Sequence, residues 1–577
     1  MEVAQPKKLP CGQCNFETIR TQNYIYVDKT RFIEQLEDEA NRYQFLIRPR
    51  KFGKSLFLSV LEHYYDVRFA DDFKKLFGNL YIGEHPTPSR NSYFVIYFSF
   101  SGLNTNSVEK FEISFTEAIQ SSIDFFIIQH KSVIKDYEEK MKELGMKNSV
   151  RAYIEYALKL INGFGSKAYI IIDEYDHFAN DLIAQGANLS AEQYKQLIWA
   201  NGVVRDFYET LKDNSRTVIE RIFITGVTPI MLDDVTSGFN ISNNLSLKES
   251  YNEILGFTEE EVSRLIEESG IDKHKITIDI KYWYNGYLFH EDAEHKLYNS
   301  AMILYFLDQT KETRGKVKCL VDSNLKTDYG RIQFLLNKPA NIDKLTEITE
   351  FNAVSAEVID RFSIDKIHEP KNFLSLLFYM GLVTINKEPE SGNPVLRIPN
   401  YSVKTMYWDY MENIIKDQHP EAFFDTSLLR ASMTKLAFKN DYAPFFEKFQ
   451  KDFVTRLSNR DLENFSEKNV KFFLLSIFFQ ANFYHPLSET ENSKGYSDIY
   501  LQRRNDLYPV IQYDWVLELK YVKQADAEND KVIQKMKVDA IEQLQRYKTS
   551  HLFKKRTDVR YLAIVFIGKK DYLIEEI

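Results

Sequence analysis

The stretch from Ile47 to Leu56 constrains the fold more than any other part of this chain of 577 residues. An apolar, strand-like run at 43–47 enters it, and an amphipathic helical pattern at 56–65 leaves it. Between them, Gly53-Lys54-Ser55 ends the pattern Gly-x-x-x-x-Gly-Lys-Ser/Thr, in which backbone N–H groups and a lysine hold phosphates and a hydroxyl reaches Mg²⁺. Arg48 stands where that pattern has its first glycine. A turn before a surface helix is therefore the alternative interpretation.

A second stretch supports the interpretation as a phosphate-binding loop. The apolar run 168–172 indicates a strand buried on both faces, as in a parallel sheet, and it ends in Asp173 and Glu174. In a nucleotide site the first carboxylate holds Mg²⁺ through water, and the second orients or deprotonates the attacking water. Strands that alternate with helical patterns favour a parallel α/β sheet. Together the two stretches predict an ATP site, against the alternative of a buried strand that ends in a polar turn.

Both stretches belong to a longer series of motifs. The series comprises YVDKT at 26–30, RPRKFGKS at 48–55, IDEYD at 172–176, FITGV at 223–227, GFTEEEV at 256–262 and WYNGY at 283–287. It resembles the AAA-ATPase-like family of bacterial proteins, in which YVDKT followed by RPRRFGKS is the hallmark. The resemblance covers about the first half of the chain. It implies that Arg48 is the family's own residue rather than a sign of a decayed loop.

The resemblance also implies an assignment of the nucleotide site. The nucleotide-binding residues would be Arg50, Gly53, Lys54, Ser55, Asp173 and Thr225. Ser55 and Asp173 would meet Mg²⁺, and Glu174 would be catalytic. As in AAA and STAND ATPases, the strand ending at Thr225 would lie beside the strand before the loop, which would place Thr225 at the γ-phosphate. A polar residue that merely ends a strand is the alternative. The sequence does not select among three candidates for an arginine finger, Arg205, Arg221 and Arg264.

The C-terminal part holds a second candidate site. Asp498 lies near the start of one strand-like run, after a loop at 489–497. Glu518 and Lys520 lie on the next run, two positions apart and therefore on the same face. A hairpin between the two runs would bring the three side chains together. Two carboxylates there bind Mg²⁺, and a lysine positions water or stabilises the transition state. An exposed strand with alternating charges is the alternative.

This arrangement resembles the PD-(D/E)xK nuclease-like domain that the AAA-ATPase-like family commonly carries at its C-terminus. The resemblance implies that Asp498, Glu518 and Lys520 are catalytic, and that Asp498 and Glu518 are metal ligands. A helix at 539–547 and a final strand at 561–567 fit the domain. The accessory polar groups would be Glu467, Glu489 and Gln543. Basic residues of the region either line a nucleic-acid groove or form a solvated face, and they include Arg503, Arg504 and Arg556.

The composition limits the remaining choices. A net charge of −9 does not favour nonspecific nucleic-acid binding by the whole surface, but it leaves a local basic groove open. Three cysteines argue against a disulfide framework, and we expect Cys11 and Cys14 to be free thiols rather than half of a zinc site. No apolar run reaches the roughly 20 residues of a membrane span. The N-terminus lacks the apolar core of a signal peptide, so we expect a cytoplasmic protein if the host is bacterial.

We therefore predict an α/β fold in three parts. A P-loop NTPase parallel sheet would occupy 1–255, a helical lid and connector 256–425, and a PD-(D/E)xK restriction-endonuclease-like α/β domain 426–577. The predicted function is an ATP-binding and ATP-hydrolysing protein coupled to a Mg²⁺-dependent nuclease, in defence or mobile-element biology. We expect DNA as the partner and no membrane, and we leave RNA and a homo-oligomer open. The alternative is a STAND-like nucleotide switch or scaffold whose C-terminal domain binds a partner without cleaving.

Overall fold

The computed structural model describes residues 6–177, 179–180, 202–230, 242–315, 317, 319–322, 339–363, 366–367, 369–386, 395–418, 426–456, 466–492, 495–505 and 507–577. The chain divides into two compact units. The first unit comprises residues 1–315 and 319–403, and the second comprises 316–318 and 404–577.

The bounds of the helices and strands are as follows. The described helices span Phe16–Thr21, Arg31–Asp38, Lys54–Tyr65, Phe73–Phe77, Tyr81–Glu84, Val108–Gln129, Tyr137–Gly145, Val150–Gly163, Val203–Asn214, Glu259–Ser269, Ile280–Tyr284, Ser300–Glu312, Pro339–Phe351, Pro370–Tyr379, Tyr401–Gln418, Thr426–Lys439, Ala443–Asp452, Glu467–Ala481 and Asp530–Lys548. The described strands are β1 Tyr43–Ile47, β2 Tyr93–Ser99, β3 Lys167–Asp173, β4 Ile219–Gly226, β5 Asn243–Asn244, β6 Asn285–Tyr287, β7 Leu297–Tyr298, β8 Ala353–Ser355, β9 Thr384–Asn386, β10 Val395–Arg397, β11 Tyr484–Asn492, β12 Gly495–Arg503, β13 Asp514–Val522, β14 Val559–Ile567 and β15 Asp571–Glu576.

The first unit is built on a five-stranded sheet. Its strand order is β2-β3-β4-β1-β5, and every pairing in it is parallel. The predicted neighbourhood of the loop strand is confirmed, because β4 pairs with β1 and Thr225 lies opposite Leu46. Strands β1, β3 and β4 are mostly apolar and almost wholly buried, as expected for a sheet covered on both faces. Since the strands run in one direction, the ends of β1, β3 and β4 meet at one edge.

Local sequence explains how the helices of this unit begin. The helix Lys54–Tyr65 begins after Gly53, whose φ of 99° lies in the left-handed region that glycine tolerates best. A capping box begins the helix Glu259–Ser269, with the Thr258 hydroxyl accepting from the N–H of Glu261. Thr30 precedes the helix Arg31–Asp38, but its side chain does not cap it. Its hydroxyl donates to Asp28 instead, which itself accepts the N–H of Thr30.

The second unit is built on a mixed five-stranded sheet. Its strand order is β11-β12-β13-β14-β15, with β13 and β14 parallel and the other pairings antiparallel. The predicted pairing of the two site-bearing strands is confirmed, because Ile499 lies opposite Leu517. The loop expected at 489–497 is wrong, since 489–492 belong to β11 and 495–497 to β12. Helices 467–481 and 530–548 pack against this sheet.

The helix Asp530–Lys548 begins nine residues before the predicted start at 539. The side chain of Asn529 accepts the N–H of Val532 and so caps the start of this helix. The polar residues at 530–538 hid this start from the prediction. Tyr500, Val516, Ala540 and Leu544 share a buried cluster between this helix and the sheet. Across the part of the chain described above, no helix is both long and apolar enough to cross a membrane.

Candidate functional site

The loop between β1 and the helix at 54–65, which carries the phosphate-binding pattern, is stabilised by hydrogen bonds from Lys54 to its backbone. Lys54 is buried, and its Nζ donates to the carbonyls of Arg48 and Pro49, both at 2.9 Å. Burial lowers the pKa of Lys54 from 10.5 to about 8, although Asp173 and Asp176 oppose that change. The ammonium is thus a poorly solvated charge at the bottom of the loop, which an anionic ligand would stabilise.

Arg48 replaces a glycine of the common loop pattern and has a structural position. The side chain is fully buried, and its guanidinium donates to the carbonyls of Ile47, Ser246 and Tyr251 at 2.7–2.9 Å. It also lies 3.9 Å from the ring centroid of Phe289. Burial lowers its pKa to about 9. The first turn of the loop is therefore fixed by main-chain carbonyls from distant segments rather than by the freedom of a glycine.

Two predicted site residues, Ser55 and Thr225, and one that the sequence reasoning missed, Tyr97, converge on Asp173 at the end of β3. Its Oδ2 accepts the hydroxyl of Ser55 at 2.7 Å and that of Tyr97 at 3.1 Å. Its Oδ1 accepts the hydroxyl of Thr225 at 2.7 Å. Adjacent parallel strands and the loop helix bring these groups together, as the motif order suggested. The carboxylate and the Ser55 hydroxyl are oxygen ligands of the kind that Mg²⁺ prefers.

Glu174 follows Asp173 in an unusual backbone conformation. Its φ is 53°, in the left-handed region, and its N–H donates to Oδ1 of Asp173 at 3.0 Å. Its Oε2 lies 3.2 Å from Nδ1 of His177, a residue that the sequence reasoning did not single out. This hydrogen bond lowers the pKa of Glu174 below its usual value, against the effect of burial. The carboxylate is therefore ionised and directed by a neighbour.

A cavity of about 650 Å³ lies over these groups. Arg50, Gly53, Lys54, Ser55 and Glu174 line it, and so do the N-terminal residues 10–14. The structure thus brings the predicted nucleotide residues together around one space, with Asp173 and Thr225 bonded just beneath it. Cys11 and Cys14 are free thiols at this cavity. Burial raises the pKa of Cys11 to about 11, so its thiol is unreactive at neutral pH.

Asp176 is a structural residue within the same acidic motif. Its carboxylate accepts the N–H groups of Val227 and Thr228, the hydroxyl of Thr228 and the amide of Asn180. These bonds tie the turn after β3 to the end of β4. Gly226 lies in the tight space that results, because a Cβ there would stand 2.4 Å from the ring of Tyr175. The pattern IDEYD gave no sign that its last carboxylate acts in this way.

Three other charged residues of the first unit, Lys29, Arg205 and Arg221, have partners within it. Lys29 forms a buried ion pair with Glu261, 2.8 Å from each carboxylate oxygen. Of the three arginine-finger candidates, Arg205 pairs with Glu209, and Arg221 is buried and donates to the carbonyl of Leu36. The choice among the three candidates stays open.

The second unit gathers the C-terminal candidates around β13. Asp498 Oδ2 accepts the N–H of Leu519 at 3.0 Å, which places it beside Glu518 and Lys520. Lys520 Nζ lies 2.9 Å from Glu518 Oε1 and 4.0 Å from Glu467 Oε1. Lys471, which the sequence reasoning missed, lies 3.7 Å from Asp498 Oδ1. The only sequence signal for it was its position four residues after Glu467 on one helix face.

The electrostatics of this cluster are those of crowded carboxylates. Burial, together with Asp498 and against the opposing effect of Lys520, raises the pKa of Glu518 to about 8. Burial also raises the pKa of Glu467. Oε2 of Glu518 is buried without a hydrogen-bond partner. A buried carboxyl oxygen with no partner is a position that a cation would satisfy.

The cluster fits a metal held by two carboxylates. Among the residues described, no group of three or more acidic, histidine or cysteine side chains forms a metal-binding set. Mg²⁺ typically uses one or two carboxylates and completes its shell with water and substrate phosphate, so Asp498 and Glu518 are sufficient ligands. Gln543 lies on the helix packed against β13, and its Oε1 is buried without a partner. The side chain of Glu489 lies outside the described residues.

Three basic residues expected to line a groove or a solvated face are instead engaged in the fold. Arg504 is buried. Arg556 pairs with Asp514 at 2.7 Å and with Asp558 at 2.9 Å, and Arg503 pairs with the same two carboxylates. These arginines therefore have partners within the second unit, and the groove and the solvated face both stay predictions.

Comparison with known families matches a part of the chain around each candidate site. Residues 10–236 match the family described as predicted AAA-ATPase, and residues 465–576 match the PD-(D/E)XK nuclease superfamily. The chain joins an AAA-ATPase-like domain to a PD-(D/E)XK domain. Most residues that line the cavity lie in the segment matched to predicted AAA-ATPase, with others at 255–322, and the carboxylate–lysine cluster lies in the segment matched to PD-(D/E)XK.

Individual proteins are only distantly similar to this chain. A protein of Azotobacter chroococcum mcd 1, described as an uncharacterized protein in the vnfD 5′ region, is 28% identical over 410 residues, which are 69% of this chain and 68% of that protein. The Aeropyrum pernix ORC2 protein in ADPNP–ADP complexes has a TM-score of 0.34 at 10% identity, over 70% of this chain and 98% of that chain. The Aeropyrum pernix ORC1 protein in complex with DNA has a TM-score of 0.27 at 10% identity, over 69% and 97%. Structural likeness this weak adds no argument.

Proposed function

We propose that the AAA-ATPase-like domain binds and hydrolyses ATP with Mg²⁺, and that the PD-(D/E)XK domain cleaves nucleic-acid phosphodiesters with Mg²⁺. The observation that carries the first half is the hydrogen-bonded set Ser55–Asp173–Thr225 beneath the cavity that Lys54 and Glu174 line. The observation that carries the second half is the buried, unpartnered Oε2 of Glu518 beside Asp498 and Lys520.

In the nucleotide site the loop N–H groups and Lys54 bind the phosphates. Lys54 exchanges its two carbonyl acceptors for phosphate oxygens, which suit its charged form better. Ser55 and Asp173 would hold Mg²⁺, which would neutralise charge on the phosphates. Glu174 accepts a proton from the water that attacks the γ-phosphate, and Thr225 fixes Asp173 from the neighbouring strand. Arg50 contributes a further positive charge at the cavity.

In the nuclease site Asp498 and Glu518 would hold Mg²⁺, which would supply an activated water and charge neutralisation at the scissile phosphate. Lys520 orients the water or stabilises the negative charge of the transition state. Its ion pair with Glu518 keeps the ammonium charged, since Glu518 and Glu467 raise its pKa against the effect of burial. Glu467 and Gln543 are accessory groups near this centre.

We further propose that ATP gates or powers access to DNA, in defence or mobile-element biology. The support is the presence of an ATPase-type domain and a nuclease-type domain in one chain. A nucleotide switch whose C-terminal domain binds a partner without cleaving is the competing function.

The test is Mg²⁺-dependent cleavage of single- and double-stranded DNA and RNA, with and without ATP. Wild type is compared with Lys520→Ala and Lys54→Ala, and Lys570→Ala serves as a matched control because Lys570 is a surface lysine paired only with Glu528. Cleavage that is lost in Lys520→Ala supports the nuclease, and dependence on Lys54 supports coupling. Cleavage that ignores both ATP and Lys54→Ala contradicts coupling. ATP binding without cleavage under any condition favours the switch.

A further inference from the structure

Glu174 is the end of a short chain of hydrogen bonds that begins in a surface loop. The N–H of exposed Gly102 donates to Nε2 of His177 at 3.2 Å. On the other side of the ring, Nδ1 of His177 lies 3.2 Å from Oε2 of Glu174. A nitrogen that accepts from a backbone N–H carries no proton, so in the neutral ring Nδ1 has the proton and donates it to Glu174. The backbone thus sets the tautomer.

The same chain leaves Glu174 little freedom. Its main chain is held by the bond from its N–H to Asp173, and its carbonyl accepts the N–H of His177 at 3.0 Å. Its side chain is held at Oε2 by His177, whose own side chain is only 16% exposed. Oε1 is the carboxylate oxygen that His177 does not hold. A general base needs this kind of orientation, because proton transfer requires the oxygen within hydrogen-bond reach of water.

We propose that His177 is a positioning residue for ATP hydrolysis, which holds Oε2 of Glu174 so that Oε1 faces the attacking water. The proposal rests on the proposed function of Glu174. His177 is not among the residues that line the cavity. It therefore acts through Glu174 and not on ATP. The loop that carries Gly102, between β2 and the helix at 108–129, is linked through His177 to the reaction centre.

This arrangement predicts an effect on turnover without an effect on binding. His177→Ala should lower kcat about tenfold, a part of the 10²–10⁴-fold that a general base contributes. The KM and the Kd for ATP should change less than about twofold, because no ligand contact is lost. His177→Asn places an amide N–H near the position of Nδ1 and should restore most of kcat. His177→Gln places its amide near Nε2 and should restore little.

The experiment measures steady-state ATP hydrolysis, ATP binding by calorimetry and the thermal unfolding midpoint of the full chain. The variants are His177→Ala, His177→Asn, His177→Gln and Glu174→Gln, with His274→Ala as control because His274 is exposed in a surface turn. Full turnover in Glu174→Gln would refute the proposed role of Glu174 itself. Loss in Glu174→Gln with unchanged kcat in His177→Ala would overturn only the role of His177. If His177→Ala does not fold, equal rates for the Asn and Gln variants would overturn it.

Discussion

Replacing Glu518 by glutamine should stabilise the metal-free second unit at alkaline pH. In the folded protein the pKa of the Glu518 carboxyl is about 8, compared with its ordinary value of 4.5, because burial and Asp498 disfavour the charged form. Between those pH values the folded chain binds more protons than the unfolded chain. The free energy of unfolding therefore falls as pH rises from about 4.5 to about 8, and it levels off above.

The size of the effect follows from the same pKa. At 1.36 kcal/mol per pKa unit, the ionised carboxylate costs the folded state roughly 5 kcal/mol near pH 9. Glutamine resembles the neutral carboxyl in shape and keeps an oxygen for Lys520 Nζ, which lies 2.9 Å from Glu518 Oε1. The variant should therefore lack this cost. It should equal wild type near pH 4.5 and exceed it by about 2–5 kcal/mol near pH 9.

The assay is urea unfolding of the full chain with pulsed hydrogen exchange and mass spectrometry. Peptides from β13 and β14 report on the second unit separately from the first. Glu542→Gln is the matched control, because Glu542 is exposed on the helix at 530–548. Added Mg²⁺ should stabilise wild type near pH 9 and leave Glu518→Gln almost unchanged, since the carboxylate ligand is gone. Equal midpoints for wild type and Glu518→Gln at both pH values would refute the argument from crowded carboxylates.

Three further predictions concern the first unit. Burial lowers the pKa of Lys54 to about 8, so the amine is mostly neutral near pH 9. ATP binding at that pH should take up about one proton, because the phosphate oxygens restore the charged form of the amine. Calorimetry in buffers of different ionisation heat measures this, and Lys54→Ala should abolish the uptake. Arg48→Ala should lower the free energy of unfolding by about 3–5 kcal/mol in a urea titration, because three buried carbonyls lose their donor. Gly226→Ala should cost roughly 1–3 kcal/mol in the same titration, because its Cβ would meet the Tyr175 ring at 2.4 Å, and an unchanged midpoint would contradict the close packing.

The residues that the sequence predicted together are those fixed by local geometry. Asp173 and Thr225 lie at the ends of neighbouring strands in one parallel sheet, and Ser55 lies in the first turn of the helix that follows β1, so the order of strands and loop was enough to unite them. Glu518 and Lys520 share a face of β13 because strands repeat every two residues. In both sites the motif spacing carried the three-dimensional information.

The residues that escaped prediction depend on contacts between distant segments. Lys471 meets Asp498 only after a helix packs on the sheet, and Arg48 finds its acceptors about 200 positions away. The role proposed for His177 depends on the N–H of Gly102, which lies on the loop after β2. The segment 489–492 is polar enough to indicate a loop, yet it pairs with β12 as the edge strand of its sheet. Edge strands tolerate such sequences because one side faces no neighbour.

The buried guanidinium of Arg48 has a consequence for the thermodynamics of ligand entry. A loop whose first turn is already anchored to the carbonyls of Ser246 and Tyr251 has lost most of its conformational entropy before any phosphate arrives. Binding then gives up little further disorder, so more of the interaction energy appears as affinity. The anchor also works in reverse, because any rearrangement of the 246–251 segment shifts the first turn of the phosphate cradle. Nucleotide affinity therefore depends on whether the 246–251 segment keeps its folded position.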